Sequence, residues 1–204
     1  MNGKSTLHKL KENEREVRKN LIIDAAINLF AQKSLKDTSI RDIAAEAGIS
    51  PASIYRYFSD RDELFVEALL REGKDIGANL EKLLKENGDF SIERIAGDFV
   101  EYLMDHDSFF QMMTHFMLGS SINQKSLKKF NEAERRLLDI FDGIFRKIGV
   151  RENVRIVSHA FFASLNGIVI TFRKYPGRNE EEVRKHVNRL AFLMAGLFKK
   201  GAVQ

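Results

Sequence analysis

The run Pro51-Ala52-Ser53-Ile54-Tyr55-Arg56-Tyr57-Phe58 holds side chains whose types and spacing suit contact with an anionic polymer. Ala52 and Ser53 are small, so a helix that starts with them can approach another surface closely. Tyr55, Arg56 and Tyr57 bring two hydroxyls and a guanidinium near its end, and such groups bond phosphate oxygens. Thr38, Ser39 and Arg41 supply similar groups upstream, and Arg61 adds a cation downstream. Small residues at base edges, with hydroxyls and cations on phosphates, describe a short helix seated in a DNA major groove.

Two short helices and a tight turn must position these groups. Ser39 with Asp42 three residues on has the spacing of a capping box. Ile40, Ile43, Ala44 and Ala47 then recur at helical spacing and give one apolar face. Gly48 follows at once, where a residue free to take positive φ ends the first helix and turns the chain. Ser50 caps the second helix, and Pro51 suits its first turn, where no amide donor is needed. Ile54 and Phe58, four apart, anchor the second helix on the core side. The pattern is a helix-turn-helix, although a helical hairpin inside any all-α protein shares its bare spacing.

From Leu21 to Leu69 the sequence resembles the DNA-binding domain of the TetR family of transcriptional regulators. The resemblance rests on Ile23, Ala25, Ala26, Leu29 and Phe30, then Thr38-Ser39, Ile43-Ala44 and Ala47-Gly48-Ile49-Ser50. It continues through Tyr55-Arg56-Tyr57-Phe58, Arg61 and Glu63-Leu64-Phe65. It departs at Ser34-Leu35, where the family usually has a glycine, so that corner is expected to be built differently. The resemblance implies nine helices, and a phosphate contact at Arg61, where the family usually places a lysine. It also implies a small-molecule site among helices four to eight, and a homodimer through the last two helices.

Composition is compatible with this. The 204 residues are 44% hydrophobic and 30% charged, ordinary for a globular chain. The absence of cysteine excludes disulfides, thiolate metal sites and cysteine nucleophiles. No apolar run has the length of a signal peptide or approaches the ~20 residues of a membrane helix, so a cytoplasmic protein with no membrane partner is expected. The net charge is +4, and residues 1–19 hold six cations against three anions, a basic arm leading into the helix-turn-helix.

Strand-type alternation is absent, so the fold class is all-α. The first helix is expected from Val17 to Lys33. The fourth is expected from Arg61 through Leu64, Leu80 and Leu84 to Asn87-Gly88, a single rod of roughly 40 Å at ~1.5 Å per residue. Later helices are expected over Ile92–His106, Phe109–Leu118 (capped by Ser108), Gln124–Ile148, Glu152–Tyr175 and Glu180–Lys200, with a loop at Gly119-Ser120-Ser121. The domains follow as 15–62 for DNA binding and 63–204 for ligand binding and dimerisation.

Phe99, Tyr102, Phe109, Met112, Met113, Phe116, Phe162 and Asn166 are the candidates for lining an apolar ligand site, because phenylalanine and methionine leave adaptable spaces. A plain core uses the same residue types. His106, His115 and His159 are candidate polar contacts. Phe161, Leu165, Val169, Val183, Val187, Leu190, Met194 and Leu197 are the candidates for the dimer face, because both final helices carry apolar stripes wider than one packed face requires. No histidine pair has metal-ligand spacing, and neither a metal nor a cofactor is expected. No phosphate loop, nucleophile elbow or paired carboxylates in an apolar setting point to an enzyme. The reading is a dimeric regulator, most simply a repressor, with a double-stranded DNA operator and a small apolar effector as partners. Its rivals are a helical interaction module that no longer reads DNA and, at lower weight, an enzyme acting on an apolar small molecule.

Overall fold

The computed structural model describes residues 3–85, 91–119 and 121–201, with side chains from residue 7 onward. Among these residues every regular element is helical: α1 (Gly3–Gln32), a 3-10 turn (Leu35–Asp37), α2 (Ile40–Glu46), α3 (Pro51–Ile54), α4 (Arg61–Glu72), α5 (Lys74–Lys85), α6 (Ile92–Asp105), α7 (Asp107–Leu118), α8 (Gln124–Lys147), α9 (Val154–Phe172) and α10 (Glu180–Gly201). The nine expected helices are present, with the fourth written as two segments. Asn87-Gly88, the expected end of that helix, and Ser120 lie outside the described residues.

Three expectations need correction. The first helix starts at Gly3 rather than near Val17, so the basic arm is helical backbone continuous with the domain. The expected rod from Arg61 is interrupted at Gly73, a residue with poor helix propensity. Lastly, α9 has 19 residues and a mean hydropathy of 1.4, long and apolar enough to cross a membrane by those measures alone.

Contacts divide the chain into two compact units. One runs to Glu72 and takes in Gln111–Lys129; the other holds Gly73–Phe110 and the chain from Phe130. A boundary at 62/63 would cut α4, so the expected domains do not coincide with these units. In the first unit α1 packs on α2 and α4, and α2 on α3. Its core holds Ile22, Ala26, Phe30, Ile43, Ala44, Ile54, Phe58, Leu64 and Phe65, with Phe30 and Phe65 edge-to-face at 4.8 Å. In the second unit α10 packs on α6 and α9. Phe99, Phe141, Phe145, Phe161, Phe162 and Phe198 form a chain of ring contacts through it.

The helix-turn-helix is pinned locally. The Ser39 hydroxyl accepts from the Asp42 amide at 3.2 Å, and the Asp42 carboxylate accepts from the Ser39 amide at 2.7 Å, completing the capping box. The Ser39 hydroxyl, then the Ser39 amide and Lys33, hold the Asp42 carboxyl down at about 2. Gly48 sits at φ +65°, with open space where a Cβ would go.

Two predictions follow from these contacts. Gly48→Ala meets no steric neighbour, so its cost is that of a left-handed alanine, about 1–2 kcal/mol. Gly77→Ala, inside α5 and also facing open space, gains about 0.5–1 kcal/mol. Thermal unfolding of both variants checks the contrast; similar shifts would show that backbone geometry is not the cause. For pH, a carboxyl depressed in the fold stabilises fully above its unfolded value and loses that contribution as pH falls through its folded value. The capping box therefore weakens between 3.8 and about 2. Carboxyl NMR titration of Asp42 should show that low midpoint, and an ordinary midpoint near 3.8 would remove the basis for it.

Candidate nucleic-acid interface

The reader segment is one helical turn long. Ser50 caps it by accepting from the Ser53 amide at 3.2 Å, and Pro51 fills the first turn. Beyond Ile54 the chain continues in tight turns, with the Tyr57 and Phe58 amides donating to the Ile54 carbonyl at 2.9 and 3.0 Å. Ile54 and Phe58 are buried beneath. Pro51, Ala52, Tyr55 and Arg56 face solvent, Tyr55 with 56% of its surface exposed. Ser53 and Tyr57 are half-buried, and the Ser53 hydroxyl shares a hydrogen bond with that of Ser50 at 2.9 Å. Ser39 and Arg41 are exposed on the preceding helix. The structure thus brings most of the expected contact residues to one short stretch of surface.

Two expected phosphate contacts are turned inward. Thr38 is 1% exposed, and its hydroxyl donates to the Ser34 carbonyl at 2.9 Å, so it fastens the turn before α2. Arg61 donates to the Leu35 carbonyl and lies over the Phe65 ring at 4.6 Å. A cation at a helix N-terminus is unfavourable beside the dipole. The conflict that suggested a phosphate is met within the protein, by a carbonyl oxygen and an aromatic face.

The same tie explains the corner that lacks a glycine. Ser34 is in extended conformation (φ −63°), and its side chain accepts from the Asp37 amide to start the 3-10 turn. The Leu35 amide donates to Gln111 Oε1 at 3.3 Å and the Leu35 carbonyl takes Arg61, so no positive φ is needed.

The start of α4 is held to the loop before α8 and to that helix's first turns. Asn123 donates to Asp60 at 3.0 Å, and Lys125 pairs with Glu63 at 2.7 Å. Burial pushes the Glu63 carboxyl up, but Lys125 and the Ser59 amide and hydroxyl outweigh it and leave it at about 2. His115 lies 3.5 Å from Asp62 and edge-on to Phe65. Sequence reasoning missed these contacts because their partners are about sixty residues away.

It counted Arg15 of α1 among the cations of the basic arm but did not foresee its contact with the reader. Its guanidinium donates to the Arg56 carbonyl at 3.4 Å and sits 5.6 Å from the Tyr57 ring. The available signal was that Lys11, Arg15 and Arg18 recur at helical spacing and lead into buried Ile22.

The other expected site residues divide between the units. Met112, Met113 and Phe116 are buried on the α7 stretch that belongs to the first unit. Phe99, Tyr102, Phe109, Phe162 and Asn166 are buried in the second. Tyr102 stacks on His106 at 3.9 Å and meets Phe109 edge-on, while His159 is exposed. Asn166 donates to the Phe162 carbonyl at 2.8 Å, and its Oδ1, like the Ser158 hydroxyl eight residues earlier on the same helix, is buried with no partner.

Most of the expected dimer residues point the other way. Phe161, Leu165, Val169, Val183 and Val187 are buried within the chain's own core, and Leu190 and Met194 are half-buried. Both helices are apolar on two sides, and the inward side was chosen. The outward residues are Ile156, Ala160, Ala163, Gly167 and Ile170 on α9, with Leu193 and Leu197 on α10.

The comparisons with known proteins agree with this geometry. The family model for bacterial regulatory proteins of the TetR family matches residues 22–68, the stretch from α1 through most of α4. A protein described as an uncharacterized HTH-type transcriptional regulator from Haemophilus influenzae is 32% identical over 115 residues, 53% of this chain and 54% of that protein. The chain thus spans about half the length of the curated relative it matches. Among solved structures, the transcriptional regulator FadR from Bacillus subtilis in complex with stearoyl-CoA superposes with a TM-score of 0.63 at 19% identity, over 86% of this chain and 96% of that one. A transcriptional regulator from Saccharomonospora viridis in complex with choline gives 0.64 at 22% identity, over 84% and 93%. At such identities these structures speak for the fold. The family match falls on the residues that build and present the reader turn, so over residues 22–68 the chain is similar to the DNA-binding domain of the TetR family of bacterial regulatory proteins.

Proposed function

We propose that the chain is a dimeric, sequence-specific DNA-binding regulator, and in its simplest form a repressor released by a small apolar effector. The observation that carries this is the reader turn, whose buried anchors leave Pro51, Ala52, Tyr55 and Arg56 facing outward together. Ala52 and Ser53 approach base edges, while Ser39, Arg41, Tyr55, Arg56 and Tyr57 take phosphates. Thr38 and Arg61 serve as internal supports. Hydrogen bonds to charged groups are worth about 1.5–3 kcal/mol, so Tyr55→Ala with Arg56→Ala should weaken operator binding by about tenfold or more. Selection from genomic fragments followed by gel-shift titration measures this. A wild-type chain that enriches no sequence would favour the rival reading, an interaction module.

One short reader makes few base contacts, so two copies are needed. The dimer face proposed is the outward apolar row of α9 with Leu193 and Leu197 of α10, because exposed apolar patches of this kind mark association surfaces. Leu193→Arg with Leu197→Arg should convert a dimer to a single chain in light scattering and abolish tight operator binding. Retention of the dimer mass by that variant would place the interface elsewhere.

The effector site proposed is the aromatic core of the second unit around Phe99, Tyr102, Phe109, Phe162 and Asn166. A buried oxygen without a partner costs about 1–3 kcal/mol, so Asn166 Oδ1 favours an apolar ligand that carries one hydrogen-bond donor. Two neighbours of like fold hold ligands, stearoyl-CoA in one and choline in the other. Such a ligand releases DNA only if it binds one spacing of the two readers more tightly than the other.

A further inference from the structure

The helix that precedes the reader reaches well past it. α1 begins at Gly3, while its contact with the reader's end is made by Arg15. At ~1.5 Å per residue, the stretch from Gly3 to Arg15 extends roughly 18 Å beyond that contact. This stretch is exposed from Leu7 to Arg18. A solvated helix without a packed face is marginal, so its exposure calls for a partner.

The charge on the side that meets the reader indicates which partner. Arg15 touches both the Arg56 carbonyl and the Tyr57 ring, so this side of α1 is level with residues that face outward beside α3. Lys11 stands one turn away on the same side, since residues four apart stack along a helix. Arg18, three residues beyond Arg15, pairs with Glu14 at 2.7 Å, and Lys19, four beyond, pairs with Glu67 at 3.5 Å and lies over the Phe58 ring, which leaves Lys11 and Arg15 as the outward cations of that face among the described side chains. Lys9 lies about 160° round the helix from Lys11, given 3.6 residues per turn.

We propose that the amino-terminal extension of α1 is a second phosphate-binding element, in which Lys11 and Arg15 hold the DNA backbone beside the groove that α3 enters. The proposal rests on the DNA-binding reading and deepens it. The occupant is the same duplex, because Arg15 and Arg56 share one patch of surface. Phosphate contacts position a protein without reading sequence, so this element adds affinity and salt dependence rather than specificity.

The test is a salt titration of operator binding, comparing the full-length chain with its Lys11→Gln, Lys11→Gln/Arg15→Gln and Lys9→Gln variants. Each phosphate contact contributes about 0.9 to the slope of log affinity against log salt. Lys11→Gln should reduce that slope by about 0.9 and the double variant by about 1.8, while the preferred sequence stays the same. Lys9→Gln, on the far side, should leave the slope unchanged. An unaltered slope in both Lys11 variants of a chain whose parent binds its operator overturns this proposal alone. Equal losses for Lys9→Gln and Lys11→Gln also overturn it, because only overall charge would then matter. A parent chain that selects no sequence overturns the regulator reading, and this proposal falls with it. Lys11→Gln makes the result independent of any disturbance that Arg15→Gln causes at Arg56.

Discussion

A helix of four residues cannot hold its own direction, and the first unit is arranged around that constraint. Ordering four residues costs roughly 4–8 kcal/mol of backbone entropy. Within those four residues, burial of Ile54 returns about 1.5–3 kcal/mol and the Ser50 cap about 1 more, and the further anchor, Phe58, lies beyond them. The reader is therefore stable only as the lid of the small core beneath it. Its direction is the direction of two buried side chains four residues apart, and every outward residue inherits its place from them. The positive φ at Gly48 matters for the same reason: it sets where that lid begins.

Backbone satisfaction supplies the second layer. Leu35 stands where a glycine might have allowed a left-handed corner. Instead its amide and carbonyl are taken by Gln111 and Arg61, side chains from α7 and α4. A buried peptide group without a partner is costly, and here two distant side chains remove the cost of a turn that the local sequence does not close. Arg61 gains as well, because its charge at the start of α4 finds the Leu35 carbonyl and the Phe65 ring. The corner, the helix start and the stretch of α7 around Gln111 thus form one unit of stability.

What could be read from the sequence was whatever is written in neighbours. The capping box, the Gly48 turn, the Ser50 cap and the Ile54–Phe58 anchor depend on residues at most four apart, and they stand as expected. What could not be read depends on partners far along the chain. Thr38 and Arg61 have side chains suited to phosphate, and only the fold shows that the Ser34 and Leu35 carbonyls occupy them. Gly73 illustrates a different failure: apolar periodicity runs across it, and a single interruption leaves no mark in that pattern.

The helix α9 shows why apolar content alone misleads. Phe161, Leu165 and Val169 face the core, while Ile156, Ala160, Ala163, Gly167 and Ile170 face out, so a count of apolar residues gives neither side priority. A helix apolar all round lies in lipid or between two packed surfaces. The inner side makes the choice here. Ser158 and Asn166 sit among the rings of a formed aromatic core, and α6 and α10 pack against the helix. One surface is thus already protein. The outer row has side chains of little volume at Ala160, Ala163 and Gly167, spaced three and four apart, which lets another helix come close along a groove. In the proposed dimer a second copy of the same helix would be that partner by symmetry, with each row facing its own image. The apolarity that matches a membrane span by length would in that dimer be shared between two protein surfaces.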